Sequence, residues 1–299
     1  MAGVTAPTVP RARPRCSVLS ETAAEPLAGT AATDTRWLFV EVPGAWGRKA
    51  VTGSDLPEAV VAALTAYDGR VQLVRRPGPA AARAGVQVLA ADLGDGSGTT
   101  AQARVTSARL GRLDDVVDLA PGDLAPHTEP VWLVCTNGRR DLCCAERGRP
   151  VASALAALRP EQTWETTHLG GHRYAATALH LPSGLVLGRL EATTVPDVLA
   201  EVEAGRVPLA LTRGLAGRHP AAQAAELAVR ERGGWSGLDE VAAEEPVDGT
   251  VVCRTPAGRV RATVERRTGP AGLASCADDH PKPTTEHVVV DVQTLTEHD

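Results

Sequence analysis

One plan occurs twice in this chain, and that repetition constrains the fold more than any single motif. Residues 36–42, RWLFVEV, combine alternation with β-branched and aromatic side chains, the pattern of a buried strand. PGAWG then breaks the chain ahead of LPEAVVAALTAY, whose apolar residues recur at helical spacing. Much later, EPVWLVCTNGRRDLCCAERGRPVASALAAL repeats the plan: a strand at 131–135, a loop of glycine and charge, and a helix through 150–158. Each helix is followed by β signals, VQLVRRP and GVQVLAADLGDGSGTTAQARV in the first half, TWETTH and YAATALHLPSGLVLGRLEA in the second. LGDGSG and LPSGL are turn chemistry, so each half is expected to end in a hairpin.

Strand, helix, strand and antiparallel hairpin form the skeleton of a thioredoxin-like domain. The expected class is therefore α/β, a mixed sheet flanked by helices, in two tandem copies over residues 15–125 and 126–212. Residues 1–14 are expected to be a disordered arm, and 213–299 a C-terminal extension. In that extension, residues 218–245 read as a helix ended by Gly233–Gly234 and a second short helix. GTVVCRTPAGRVRATVERR reads as a hairpin through Pro256–Gly258, and the last stretch as one strand, HVVVDV, in a solvated tail.

Composition narrows the function classes. With 43% hydrophobic and 22% charged residues the chain is globular, and no apolar run approaches the roughly 20 residues of a membrane span. The net charge is −5 and the 31 basic residues are dispersed, which disfavours nucleic acid. Arginine almost replaces lysine, which stands only at Lys49 and Lys282, and alanine and glycine abound; this reads as GC-rich coding and a bacterial source. The opening MAGVTAPTVPRARPRC has no apolar stretch behind its arginines, so it is not read as a secretory signal. Six cysteines are too few for a disulfide scaffold, and a cytoplasmic protein would keep them as thiols or metal ligands.

The halves differ where chemistry is concerned. The first loop, PGAWGRKAV, has no metal-binding side chain, whereas CTNGRRDLCC carries Cys135, Cys143 and Cys144. Further on, TTHLGGHRYAA sets His168 and His172 four apart. Two adjacent glycines cost about 1 kcal/mol each in a helix, and Leu169 stands where a zinc protease needs Glu, so these are loop histidines. Loops at the same end of a thioredoxin-like sheet can face one another, which would bring Cys135 and Cys144 to His168 and His172 as a metal pocket. Structural zinc usually takes its cysteines from a knuckle of two to four residues; a loop of eight, with backbone N–H groups nearby, suits a [2Fe–2S] cluster better.

CSVLS, PLAGTA, RWLFVEVPGAWG, CTNGRRDLCCAERGRP and HLGGHRYAATALHLPSGLVLGRL together make the chain resemble the sucrase/ferredoxin-like proteins, relatives of thioredoxin-like ferredoxins. The resemblance implies a [2Fe–2S] cluster held by a Cys-x8-Cys pair, Cys135 and Cys144, and a His-x3-His pair, His168 and His172. It implies an electron carrier or redox sensor serving an unidentified redox partner protein, with a degenerate, metal-free first half. A potential between those of plant-type ferredoxins and Rieske centres is expected, falling with pH if the imidazoles lose their distal protons. Sucrose hydrolysis lacks a paired-acid motif, and at 3% aromatic residues the chain offers little to stack a sugar. The other readings are a structural zinc module for protein contacts and a thiol–disulfide oxidoreductase using Cys143 and Cys144, although Cys-x-x-Cys is absent.

The remaining candidates are read as structural. Cys143 is a spare buried thiol; Cys16, Cys253 and Cys276 have no spacing relation to the site; and His127, His180, His219, His280, His287 and His298 pack or face solvent. Asp141 is expected to pair with Arg139 or Arg140, which either steer a partner or are simply solvated. The run at 94–98, GDGSG, lacks the Lys-Ser/Thr of a phosphate loop. The five tryptophans are read as packing residues.

Overall fold

A computed structural model of the chain describes residues 14–78, 84–94 and 103–296. The expected N-terminal arm, apart from Pro14, and the GDGSG tip beyond Gly94 lie outside the described residues.

The first half begins with helix α1 (Cys16–Thr22) and continues through β1 (Arg36–Glu41), α2 (Glu58–Ala66), β2 (Arg70–Arg75), β3 (Val86–Asp92), β4 (Arg104–Leu110) and the short β5 (Ala125–Pro126). The second contains β6 (Val131–Cys135), α3 (Leu142–Leu158), β7 (Thr163–Thr166), β8 (Ala178–Leu181), β9 (Leu185–Leu187), α4 (Val195–Glu203) and β10 (Thr212–Leu215). In the first, β1 runs parallel to β2 and antiparallel to β3, which pairs antiparallel with β4. In the second, β6 runs parallel to β7 and antiparallel to β8, which pairs antiparallel with β9. The repeat in the sequence is thus a repeat of strand order.

The two units join through β2 and β7, which pair antiparallel at Val74↔Thr166 and Arg75↔Glu165. One sheet of ten strands results, in the order β10-β9-β8-β6-β7-β2-β1-β3-β4-β5. Its central strands are apolar on both faces because both are covered. On β1, Leu38 and Val40 pack under α2 with Val60 and Leu64. Trp37 and Phe39 point to the opposite face, into a core that also takes Leu133, Cys135, Cys144 and Trp164 from the second half. The period of two therefore delivers Cys135 to the core shared by both halves.

Helix α3 starts eight residues before the expected 150. Asp141 caps it by accepting the Cys143 N–H at 3.0 Å, and the helix continues through Pro150. Cys143 and Cys144 thus lie in its first turn, not in the preceding loop.

In the extension, α5 (Pro220–Gly233) ends at a left-handed Gly234, as expected. The second short helix does not form. Instead the fully buried Arg230 gathers the carbonyls of Gly237, Leu238 and Val241 at 2.6–2.8 Å, and the chain, wrapped round the guanidinium, enters β11 (Ala242–Ala243). β11, β12 (Thr250–Thr255), β13 (Gly258–Gly272) and β14 (Lys282–Thr294) form a four-stranded sheet packed against α5, with β12 and β13 joined by the expected hairpin. The tail is largely strand. β14 pairs along the length of β13, beyond the reach of β12, making a two-stranded ribbon whose tip bears Cys276.

Candidate metal centre

Cys135 ends β6 and Cys144 stands in the first turn of α3. Their separation depends on a close approach at Gly148, where a Cβ would lie 2.1 Å from the Cys135 carbonyl oxygen. His168 follows β7 and completes the group: its Nδ1 lies 4.0 Å from Cys135 Sγ and 3.8 Å from Cys144 Sγ. The three ligand atoms lie within 4.8 Å of one another. His172 stands behind this set, its Nδ1 3.2 Å from His168 Nε2. The structure thus brings the four expected residues into one neighbourhood, with Cys135, Cys144 and His168 tightly grouped and His172 in contact through His168.

The loop that carries the histidines is held largely from the first half of the sheet. Arg70 donates to the His168 carbonyl at 2.7 Å and Gln72 Nε2 to the same oxygen at 3.3 Å. Thr167 exchanges hydrogen bonds with Leu73, its N–H to the Leu73 carbonyl at 2.9 Å and the Leu73 N–H to its Oγ1 at 3.1 Å. On the other side the buried Arg213 holds the Gly170 carbonyl at 2.9 Å. Gly171 lies in the left-handed region, at φ 67°, and a Cβ there would meet the Arg213 guanidinium at 2.4 Å. The first half also meets the cysteine loop: Asn137 donates to the Gly47 carbonyl at 3.0 Å and Arg48 to that of Arg140 at 3.4 Å.

The electrostatics favour ligation. The hydrogen bond from Cys144 holds the Cys135 thiol well below its usual range against the cost of burial, with help from His168 and the Leu169 N–H. Cys144 moves up in turn, so the pair shares one proton. Burial, then the neighbouring His168, push His172 down to about 4, so it is a neutral imidazole at pH 7. Its Nε2 is buried and has no hydrogen-bond partner, since Asp141 Oδ2 is 3.7 Å away. The idle Nε2 faces Asp141, while Nδ1 meets His168; two sulfurs and the His168 imidazole, with this second neutral ring behind them, make a donor set fitted to a soft or borderline metal.

One expectation needs correction. Asp141 does not turn to Arg139 or Arg140; it is buried, accepting from the N–H groups of Cys143 and Cys276 and the Ser275 hydroxyl. Burial raises its carboxyl, but the N–H groups of Cys276 and Cys143 and nearby His172 more than offset that and hold it below the usual value. Cys143, expected as a spare buried thiol, is buried and outside the Cys135 group, but it meets Cys16 and Cys276, expected as structural thiols, beside Asp141 in a second group able to hold a metal ion. Cys143 and Cys144 therefore face different groups, leaving them no shared face as a redox dithiol. Cys253 is a core thiol as expected.

The fold and site define a mixed α/β protein with buried cysteine and histidine groups that could hold metal. A family model described as sucrase/ferredoxin-like matches residues 27–214, more than half of the 299, and the chain belongs to that family. No curated protein and no solved structure matches it. Among the described residues no helix is long and apolar enough to cross a membrane.

Proposed function

We propose that the protein is a ferredoxin-type electron carrier or redox sensor in which Cys135, Cys144, His168 and His172 hold a [2Fe–2S] cluster. The observation that carries the reading is the convergence of two sulfurs and one imidazole within 4.8 Å, with the second imidazole, His172, in contact with His168 at 3.2 Å. The cluster, when bound, supplies reversible uptake of one electron. The chain supplies the rest. Two neutral imidazoles in place of two thiolates remove two negative charges from the donor set, which favours the reduced state relative to an all-cysteine ferredoxin, near about −400 mV for the plant type. Hydrophobic walls from Trp164, Leu169 and Leu133 keep water from the sulfurs. Arg139, exposed on the cysteine loop, offers a positive contact for an acidic redox partner.

The thioredoxin-like reading, with residues 15–125 as the degenerate copy without a cluster and 126–212 as the ferredoxin domain, draws support from the shared strand order and the clamps on the histidine loop. One observation favours a second reading. His168 turns Nδ1 to the sulfurs and Nε2 to His172, as a histidine on a single zinc ion does when a neighbour orients its ring. Protein purified without air separates the two. The cluster predicts brown protein carrying iron and acid-labile sulfide in equal amounts; colourless protein with zinc on Cys135 and Cys144, and no sulfide, would favour the zinc module.

A further inference from the structure

We propose that Cys16, Cys143, Cys276 and Asp141 form a second metal site, separate from the group around Cys135 and built for one structural zinc ion. The three sulfurs stand at the corners of a triangle with edges of 3.5 Å (Cys16–Cys143), 3.3 Å (Cys143–Cys276) and 3.6 Å (Cys276–Cys16). A tetrahedral ion with Zn–S bonds of about 2.3 Å sets its sulfurs about 3.8 Å apart, so outward movements of a few tenths of an ångström admit it. Asp141 Oδ1 lies 3.7 Å from Cys16 Sγ, against about 3.5 Å for the corresponding oxygen–sulfur edge. All four ligand atoms are within 4.8 Å of one another.

The surroundings are those of a ligand set. Ser17 donates its hydroxyl to Cys143 Sγ at 3.2 Å, and the Cys16 N–H approaches Cys276 Sγ at 3.5 Å. Of about four lone-pair positions on the Asp141 carboxylate, three are taken: Oδ1 by the Cys143 N–H, Oδ2 by the Ser275 hydroxyl and the Cys276 N–H. The remaining position is on Oδ1, which also approaches Cys16. Ordinary burial does not explain this assembly. Cys253, a core thiol, sits among Val251, Val260 and Ala262, whereas here three sulfurs surround a carboxylate 4% exposed. A disulfide would join two of the sulfurs and leave the third beside Asp141. Nearby Arg15 and Arg147 are already paired, with Glu146 and Glu21, so a divalent cation is the charge the cluster lacks.

Zinc fits because thiolates select it and because binding requires no change of oxidation state: the thiols release their protons to solvent as the metal–sulfur bonds form. The consequence is mechanical. α1, with seven residues, is too short to persist alone, and the ribbon tip that bears Cys276 is far from it in sequence; one ion would tie both to the start of α3.

The test uses the full chain carrying Cys135→Ser and Cys144→Ser, which removes the first group's sulfurs. Produced with zinc supplied, it should retain one zinc ion per chain, and cobalt in its place should show thiolate charge-transfer and tetrahedral bands. Adding Cys276→Ser, at a half-buried position, should reduce bound zinc at least tenfold. Should the double variant fail to fold, the comparison is made between wild type and Cys276→Ser alone, which must lose one equivalent. Folded protein without zinc, zinc unchanged by Cys276→Ser, or a disulfide between any two of these sulfurs in anaerobically prepared protein would overturn the proposal.

Discussion

Cys143 and Cys144 are consecutive, yet one turns to Cys16 and Cys276 and the other to Cys135 and His168, because successive positions on a helix point about 100° apart. Asp141, two residues before Cys143, fixes where that helix starts and so which way each sulfur points. The convergence of Cys135, Cys144 and His168 is legible because the cysteines and the histidines each come in a pair of short spacing. The second group is not: Cys16 and Cys276 reach Cys143 across 127 and 133 residues, and no local pattern marks a contact of that range. The partner of Asp141 is hidden for a related reason, since a charged neighbour in sequence is a poor guide once the side chain is needed as a cap. Gly148 carries a prediction at this scale. Alanine there puts a methyl group into the Cys135 carbonyl, so Gly148→Ala should destabilise the protein by about 1–3 kcal/mol and lower its metal content, as measured by denaturant unfolding and metal analysis. Unchanged stability and loading would show that α3 and β6 can separate without harm.

At the scale of elements, the doubled strand–helix–strand–hairpin plan was readable because each unit announces itself by period and turn chemistry. The start of α3 was obscured by Pro150, a residue that favours the first turn of a helix and here lies inside one. Most of β14 looks like tail in the sequence because its long ribbon with β13 is largely exposed and shows little alternation of apolar and polar residues. The first half supports the histidine loop through its contacts: β2 pairs with β7, and Arg70 and Gln72 grip the carbonyl of His168. A hydrogen bond to a charged donor contributes about 1.5–3 kcal/mol. The Arg70→Ala/Gln72→Ala variant should keep its far-ultraviolet spectrum while the amides of Gly170 and Gly171 exchange faster and the cofactor is lost more readily to a chelator. Exchange rates equal to wild type would mean that Arg213 and the second half hold the loop unaided.

Across the whole molecule, two repeated units share one sheet and one core, and the histidines within it make stability depend on pH. Burial pushes His180, 8% exposed beneath Trp132, down to about 4, against about 6.5 in an unfolded chain. Between those values the unfolded chain binds the extra proton, so stability rises with pH and is lost as pH falls from about 6.5 toward 4, by about 3 kcal/mol for this one residue. Asp141, held below its usual value, contributes stability that is present above the ordinary carboxylate range and lost as pH falls through its folded value. Denaturant midpoints should therefore drop between pH 7 and pH 5, and less so in a His180→Gln variant; parallel profiles would remove His180 from the account. Pulsed electron paramagnetic resonance of the reduced full chain shows whether Cys135 and Cys144 share an iron–sulfur cluster with His168 and His172. A cluster on these four residues gives a reduced [2Fe–2S] signal with strong nitrogen coupling that weakens in both His168→Cys and His172→Cys; a signal without such coupling, or one that neither substitution alters, would rule that ligation out.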